Sequence, residues 1–299
     1  MNLFAVQFGS PGDIDVLQLR DIPVPSPGDG EVLIALEASA INPADVKIRN
    51  GSITPRQGST PFTLGYDLVG TIREAGPSAD RFLPGTRVIG VSTLAVTGKG
   101  TWSEFVCLPE TSLARAPEGV SPAVLAQLPL PGLTALQAVE ALQLSQGAEV
   151  LVSGAAGAVG RIALQLLHTR GYRAHALIRR AEQTESLPAG VAEEVHIGSP
   201  PASCVDGVID AAGIDLSAAL RPTGHYVTVV PGSPPHSISE KNATLVIAHE
   251  SGAMLQTLAE LLTAGELNLP EPTTFKISEI EAAHREYERR LGRRIALVV

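Results

Sequence analysis

The sequence predicts an α/β protein: a β-rich first part followed by a doubly wound parallel sheet. Three observations predict it. Residues 1 to about 118 hold six short strand candidates, broken by Gly, Pro and Asp turns, with no intervening helical run. From Ser121 onward, helical spacing alternates with short apolar runs of the kind a strand buried on both faces needs. Within that second part, Glu149 to Gly160 reads as strand, tight turn and helix start in immediate succession.

The strand candidates of the first part are residues 5–8, 16–19, 31–36, 68–72, 87–91 and 103–108, which suggest a barrel or a sandwich. Residues 121–128 and 134–142 read as helices, with Ser121 as N-cap and Pro122 at the first helical position. Strands follow at 150–152, 173–178, 207–210 and 226–230. An amphipathic helix at 254–262 stops at Gly265, a second helix covers 277–291, and 295–299 closes as a strand.

The composition narrows the function classes. Net charge is −9, from 22 basic and 31 acidic residues, which argues against a nucleic-acid or anionic-membrane surface. No run approaches the ~18 consecutive apolar residues of a membrane span. The N-terminal residues carry no basic-then-apolar leader pattern, and Cys107 and Cys204 are far apart. A cytoplasmic protein with a small-molecule substrate is expected.

The chemistry-bearing run is Gly154, Ala155, Ala156, Gly157, Ala158, Val159 and Gly160. Gly157 and Gly160 fit the second and third glycines of a dinucleotide fingerprint, and Ala155 stands where the first is expected. Small residues there let the backbone approach a pyrophosphate, which the free N–H groups of the helix start then hold. The same glycines could instead serve only close packing of helix on strand. Acids that bond the ribose 2′-OH of NAD sit about 20 residues further on. Here the strand at 173–178 ends in Arg179 and Arg180, which favours NADPH, because a guanidinium grips a 2′-phosphate and an acid repels it. Both arginines could also face solvent or pair with Glu182 and Glu185.

Over nearly its whole length the chain carries a further ordered set of motifs. They are Ile41 to Gly51, Leu64 to Gly70, Gly85 to Gly90, Gly100 to Phe105, Pro131 to Ala135, Gly154 to Gly160, Val205 to Gly213 and the terminal Gly292 to Val299. In that order they resemble the zinc-independent quinone oxidoreductase branch of the medium-chain dehydrogenase/reductase superfamily. The resemblance implies a GroES-like β-barrel catalytic domain from residues 1–118, completed by 266–299, with a Rossmann-type domain at 119–265 inserted and the substrate in the cleft. It also implies a homodimer joined through Rossmann edge strands; residues 244–248 could be such an edge or an ordinary intrachain strand. The nicotinamide cofactor would lie near the Asn42 turn and Thr134, with Ala212 and Gly213 beside it.

Zinc-dependent relatives place a Cys and a His where Asn42 and Tyr66 stand, and Asp67 alone cannot make a zinc site. The seven histidines, His168, His175 and His196 among them, show no pair at ligand spacing in the sequence, so no metal is expected. Hydride transfer then requires an acceptor that is already electrophilic: a quinone, or an α,β-unsaturated carbonyl such as an enone, enal or enoyl group. Asn42 could orient the carboxamide or hydrogen-bond the substrate, or be a turn asparagine before proline. Asp45 and Lys47 could pair, or relay a proton, if their segment is extended. Tyr66 could donate its O–H to a carbonyl or be tied to a backbone group.

Two departures from the family pattern stand out. The segment Gly51-Ser-Ile-Thr-Pro55 lacks the tyrosine common in quinone and enoyl reductases, so the proton must come from another residue, the ribose or water. That absence also leaves open an NADPH-binding redox sensor, regulator or structural protein with little turnover. The link from Val195 to Val205 is too short for the helix expected between these strands.

Overall fold

The computed structural model describes residues 2–232, 242–289 and 294–299. In chain order the elements are β1 (Asn2–Phe8), β2 (Gln18–Pro23), β3 (Glu31–Ala40), α1 (Pro43–Arg49), β4 (Phe62–Thr63), β5 (Asp67–Ala75), β6 (Arg87–Val91) and α2 (Leu94–Thr97). There follow β7 (Phe105–Pro109), β8 (Leu113–Arg115), α3 (Pro122–Leu125), α4 (Pro129–Ala141), β9 (Glu149–Ser153), α5 (Ala158–Thr169), β10 (Arg173–Ile178) and β11 (Glu194–Ile197). The chain ends with β12 (Val205–Asp210), β13 (Leu220–Thr228), β14 (Ala243–Leu245), α6 (Gly252–Thr263), β15 (Thr273–Lys276), α7 (Ile280–Glu288) and β16 (Ile295–Val298).

By packing, the chain divides into two compact units: residues 1–130, 250–263 and 269–299, and residues 131–249 with 264–268. The first unit therefore takes in α3 and α6, beyond the 1–118 and 266–299 read from the sequence. The physical reason for α6 is contact: a Cβ on Gly252 would meet the Leu113 carbonyl oxygen at 2.3 Å, so the helix start lies directly on β8.

The first unit holds two sheets, β2-β1-β4 and β15-β16-β3-β5-β6-β8, with β7 also paired to β3. The C-terminal β16 pairs antiparallel with β3, Leu297 against Ser39, so the tail completes a sheet begun more than 250 residues earlier. The second unit is a six-stranded sheet in the order β11-β10-β9-β12-β13-β14, every pairing parallel. Renumbered from β9, that is the 3-2-1-4-5-6 order of doubly wound dinucleotide folds.

The elements differ from expectation where local bonds compete. Residues 14–16 form a 3-10 turn capped by the Asp13 carboxylate, so β2 starts at Gln18 instead of Val16. Ser121 caps α3 through Val124 N–H as expected, but a break at 126–128 separates it from α4, which starts at Pro129. Residues 277–279 form a 3-10 turn ahead of α7; residues 290–291 of the expected helix, and Gly292 of the terminal motif, lie outside the described residues. No helix occupies residues 198–204 between β11 and β12, in line with the short link. Residues 122–141, although broken at 126–128, reach the length and mean hydropathy of a membrane span; 78% of the 18-residue window concerned is buried within the structure, as in a core helix.

Candidate functional site

In the second unit the glycine turn is built from backbone demands. Gly154 takes φ +59°, a left-handed conformation that favours glycine, so it and not Ala155 makes the sharp exit from β9. Ala155 is fully buried. Gly157 is the uncapped N-terminal flank of α5 and is exposed, and a Cβ there would stand 3.0 Å from the Gly154 carbonyl oxygen. On Gly160 a Cβ would come within 2.3 Å of that same oxygen, so this glycine lets α5 lie against the strand. Helix geometry leaves the first-turn amides of Ala158, Val159 and Gly160 without intrahelical acceptors. Ala156 is half-buried between them and the turn.

Two other predicted groups converge on the same end of the sheet. Ala155 N–H donates to the Leu177 carbonyl at 3.3 Å, which sets the turn beside the tip of β10. There Arg179 and Arg180 are both exposed, their amides held by Gln183 Oε1 at 3.0 Å each. Among the described residues neither guanidinium is ion-paired, so of the alternatives both arginines face solvent and neither pairs with Glu182 or Glu185. On the other side, a Cβ on Gly154 would touch the Ala211 carbonyl at 3.2 Å. Ala212 and Gly213 are exposed, but their N–H groups are already used by Asp210 Oδ1, at 3.1 and 2.9 Å. They offer a small, open surface and no donors. Ser153 donates to the same carboxylate oxygen at 2.7 Å and accepts from Ala211 and Ala212. Sequence reasoning missed Ser153 and Asp210, although an Asp at a strand end before Ala-Ala-Gly is an Asx-turn signal. Thr134 lies half-buried on α4.

In the first unit, Asn42 precedes Pro43 and starts α1 from an extended conformation (φ −119°, ψ 160°). Its backbone N–H donates to Asp45 Oδ2 at 2.9 Å, and Gly65 N–H donates to Asp45 Oδ1 at 3.1 Å. The Asn42 amide donates to Asp67 Oδ2 at 2.6 Å and accepts from Arg294 Nη2 at 3.1 Å. Asp67 Oδ1 accepts the Leu130 N–H at 2.7 Å, and the Asp67 carbonyl accepts from Ser39 and Thr101 hydroxyls at 2.6 and 2.7 Å. All of Asn42, Asp45 and Asp67 are buried. Because 43–49 is helical, Asp45 and Lys47 point about 200° apart and do not share a face. The pair and the relay through Lys47 do not form, and Asp45 caps the helix start instead.

Burial pushes the Asp45 carboxyl up to about 8, with the Asn42 and Gly65 amides opposing and the Asp67 charge adding to the rise. Burial also raises Asp67, to about 6, with Arg294 and the Leu130 amide pulling it down. At neutral pH Asp45 therefore keeps its proton while Asp67 is largely ionised beside Arg294. Tyr66 is 8% exposed. Burial first, and Asp45 second, raise its phenol further above the usual value, while the Ala95 backbone pulls the other way. Tyr66 stays a neutral O–H donor. Its position is fixed by Gly65 (φ +104°), where a Cβ would strike the Trp102 ring at 2.3 Å.

The structure corrects the reading of the histidines. Parallel pairing of β10 with β11 sets His175 opposite Glu194 and Leu177 opposite His196, which brings the two histidines together. His175 Nδ1 lies 3.4 Å from His196 Nε2. Among the described residues, this is the only group of three His, Cys, Asp or Glu ligand atoms close enough to hold one ion. Among the described residues no such group includes Asp45 or Asp67, the acids beside Asn42 and Tyr66.

Residues 28–118 match the family described as alcohol dehydrogenase GroES-like domain, and residues 191–292 match zinc-binding dehydrogenase. The chain is 29% identical over 307 residues to the chloroplastic quinone-oxidoreductase QR1 of Triphysaria versicolor, covering 93% of each chain. It is 32% identical over 250 residues to a chloroplast envelope quinone oxidoreductase homolog of Arabidopsis thaliana, covering 77% of this chain and 75% of that one. The solved quinone oxidoreductase of Coxiella burnetii superposes with a TM-score of 0.86 at 28% identity, covering 100% of both chains. With a GroES-like part and a parallel Rossmann-type sheet in the 3-2-1-4-5-6 order, the chain belongs to the medium-chain dehydrogenase/reductase superfamily, in its quinone oxidoreductase branch.

Proposed function

We propose that this oxidoreductase reduces a quinone or an α,β-unsaturated carbonyl with NADPH and without a metal ion. The observation that carries the reading is the convergence of three features at the C-terminal end of one parallel sheet. These are the glycine turn at 154–160, the unpaired Arg179 and Arg180, and the open Ala212-Gly213 surface. The family is one of nicotinamide enzymes, and the cradle at Gly157, which a Cβ would narrow, fits a pyrophosphate on the α5 amides. Ala158, Val159 and Gly160 supply the donors, and the two guanidiniums favour a 2′-phosphate over a bare ribose.

The donor set around Asn42 does not suit zinc. Asn42 is tied to Asp67 and Arg294, Asp45 holds a proton and two amide bonds, and Arg294 supplies a positive charge beside them. A zinc ion needs thiolate, imidazole or free carboxylate there.

A bound nicotinamide supplies the hydride. Tyr66, neutral and nearly buried, donates its O–H where negative charge develops on the acceptor oxygen. Asp45, protonated at neutral pH, keeps a second negative charge away from that oxygen. Asn42 is a positioning residue, because its side chain is spent on holding Asp67 and Arg294 in place. We further propose a homodimer formed through the edge strand β14, where Leu245 and the nearby Ile247 are 42% and 62% exposed. Light scattering that finds a monomer at micromolar concentration would remove that proposal.

The substrate class is tested by following NADPH consumption against a panel of quinones, enals, enones and enoyl thioesters. Turnover with at least one conjugated acceptor, and none with saturated ketones, is the expected result. Binding of NADPH without turnover on any acceptor would favour a sensor or regulator.

A further inference from the structure

The second unit contains a side-chain cluster that the reductase reading does not use. His175 on β10 and Glu194 and His196 on β11 project from the same face of the sheet, because paired residues of adjacent strands share a side and residues two apart in a strand do too. His175 Nδ1 and His196 Nε2 are 3.4 Å apart, and Glu194 Oε2 lies 3.8 Å from the first and 3.6 Å from the second. A point equidistant from the corners of that triangle is about 2.1 Å from each, within the range of Zn–N and Zn–O bonds. Three ligand atoms have thus been brought to coordination spacing by strand register alone. Two imidazoles and one carboxylate with a water in the fourth position is an established zinc donor set.

The surroundings suit a cation. The His175 side chain is 7% exposed, His196 12% and Glu194 64%, so the cluster has a buried floor and an open mouth. Arg173 shares this face two residues before His175, and Glu149 opposite it is its ion-pair partner at 2.9 Å. Glu149 itself bonds both Arg173 and Arg221, which offsets their charge. The two rings lie parallel within 5°, with their centroids 5.6 Å apart.

The fold also leaves something for the ion to do. β11 is a four-residue edge strand whose Val195 and Ile197, on the opposite face, are 40% and 54% exposed. No helix follows it, since residues 198–204 run straight to β12. We propose that His175, Glu194 and His196 form a zinc site that pins the edge strand β11 to β10.

The test uses the full chain, stripped with a chelator and titrated calorimetrically with zinc chloride. Expected are one zinc per chain and a loss of affinity in His196→Ala beyond the roughly 10–100-fold typical of outer-shell partners. Glu194→Gln, at an exposed position that does not threaten folding, should weaken binding at least about tenfold, and the exposed His168→Ala should change nothing. Hydrogen exchange supplies a second readout: zinc should slow the amides of residues 195–197 in the wild type and not in His196→Ala. Absence of stoichiometric uptake by the wild type, unaltered affinity in both ligand variants, or unchanged exchange in β11 would each overturn the proposal.

Discussion

Asn42 donates its side-chain amide to Asp67 Oδ2 at 2.6 Å, joining the start of α1 to the start of β5 across 25 positions of sequence. Both residues are buried, at 2% and 0% exposure. Arg294 closes the same network from beside β16. Replacing Asn42 with Ala strips a donor from a buried carboxylate and an acceptor from a guanidinium. The expected cost is about 1–3 kcal/mol of stability, because unpaired buried polar groups lose their solvation without compensation. Urea unfolding of Asn42→Ala checks it, and an unchanged midpoint would mean that water replaces the amide at no cost.

Tyr66→Phe removes one hydroxyl and little volume. If the phenol donates to the acceptor oxygen, kcat should fall by roughly 10²-fold or more, the usual scale for a positioned proton or hydrogen-bond donor. NADPH affinity should stay as it is, since Tyr66 lies in the unit that carries no glycine turn. Steady-state kinetics with fluorescence binding separates the two, and an unaltered rate would reduce Tyr66 to packing.

Arg179→Ala should raise KM for NADPH at least about tenfold and leave KM for NADH near its wild-type value, because only the former carries the 2′-phosphate. Equal losses for both cofactors would show that the guanidinium does not contact that phosphate.

Asp45 gives stability a pH dependence of predictable sign. Its carboxyl titrates at about 8 when folded, against 3.8 as its ordinary value, so between these pH values the folded chain binds more protons. The stabilisation is full at low pH and is lost as pH rises through about 8. Asp67, at about 6, adds to this loss below neutrality, whereas His284, buried and held down to about 3, acts in the opposite direction below 6.5. From pH 6.5 to 8 Asp45 acts largely alone and should cost up to about 2 kcal/mol. Chemical denaturation at the two pH values should show this drop in the wild type and a flatter profile in Asp45→Asn. A flat wild-type profile would contradict the assignment.

What the sequence made legible depends on how local the cause is. The glycine turn could be read because Gly157 and Gly160 answer to neighbours within a few residues, and β3, β5 and β6 because turns bracket their apolar runs. The break at 126–128 before α4 was not, since Gln127 there is held by the Pro270 carbonyl, 143 positions away. Arg49 likewise bonds His284 Nδ1 at 3.0 Å across 235 positions, and no spacing rule links the two. His175 and His196 looked scattered because their proximity arises only from the register of β10 on β11. Asn42 had the right address but a different task, as its partners Asp67 and Arg294 lie 25 and 252 positions away in the chain.

The proposed reaction requires a phosphorylated dinucleotide held at the start of α5 and a conjugated acceptor. Its most direct measurement is kcat/KM for NADPH and for NADH with one reactive quinone, on the same preparation. Turnover with both and a clear preference for NADPH is expected; a preference for NADH, or no oxidation of either, would contradict the proposed reaction.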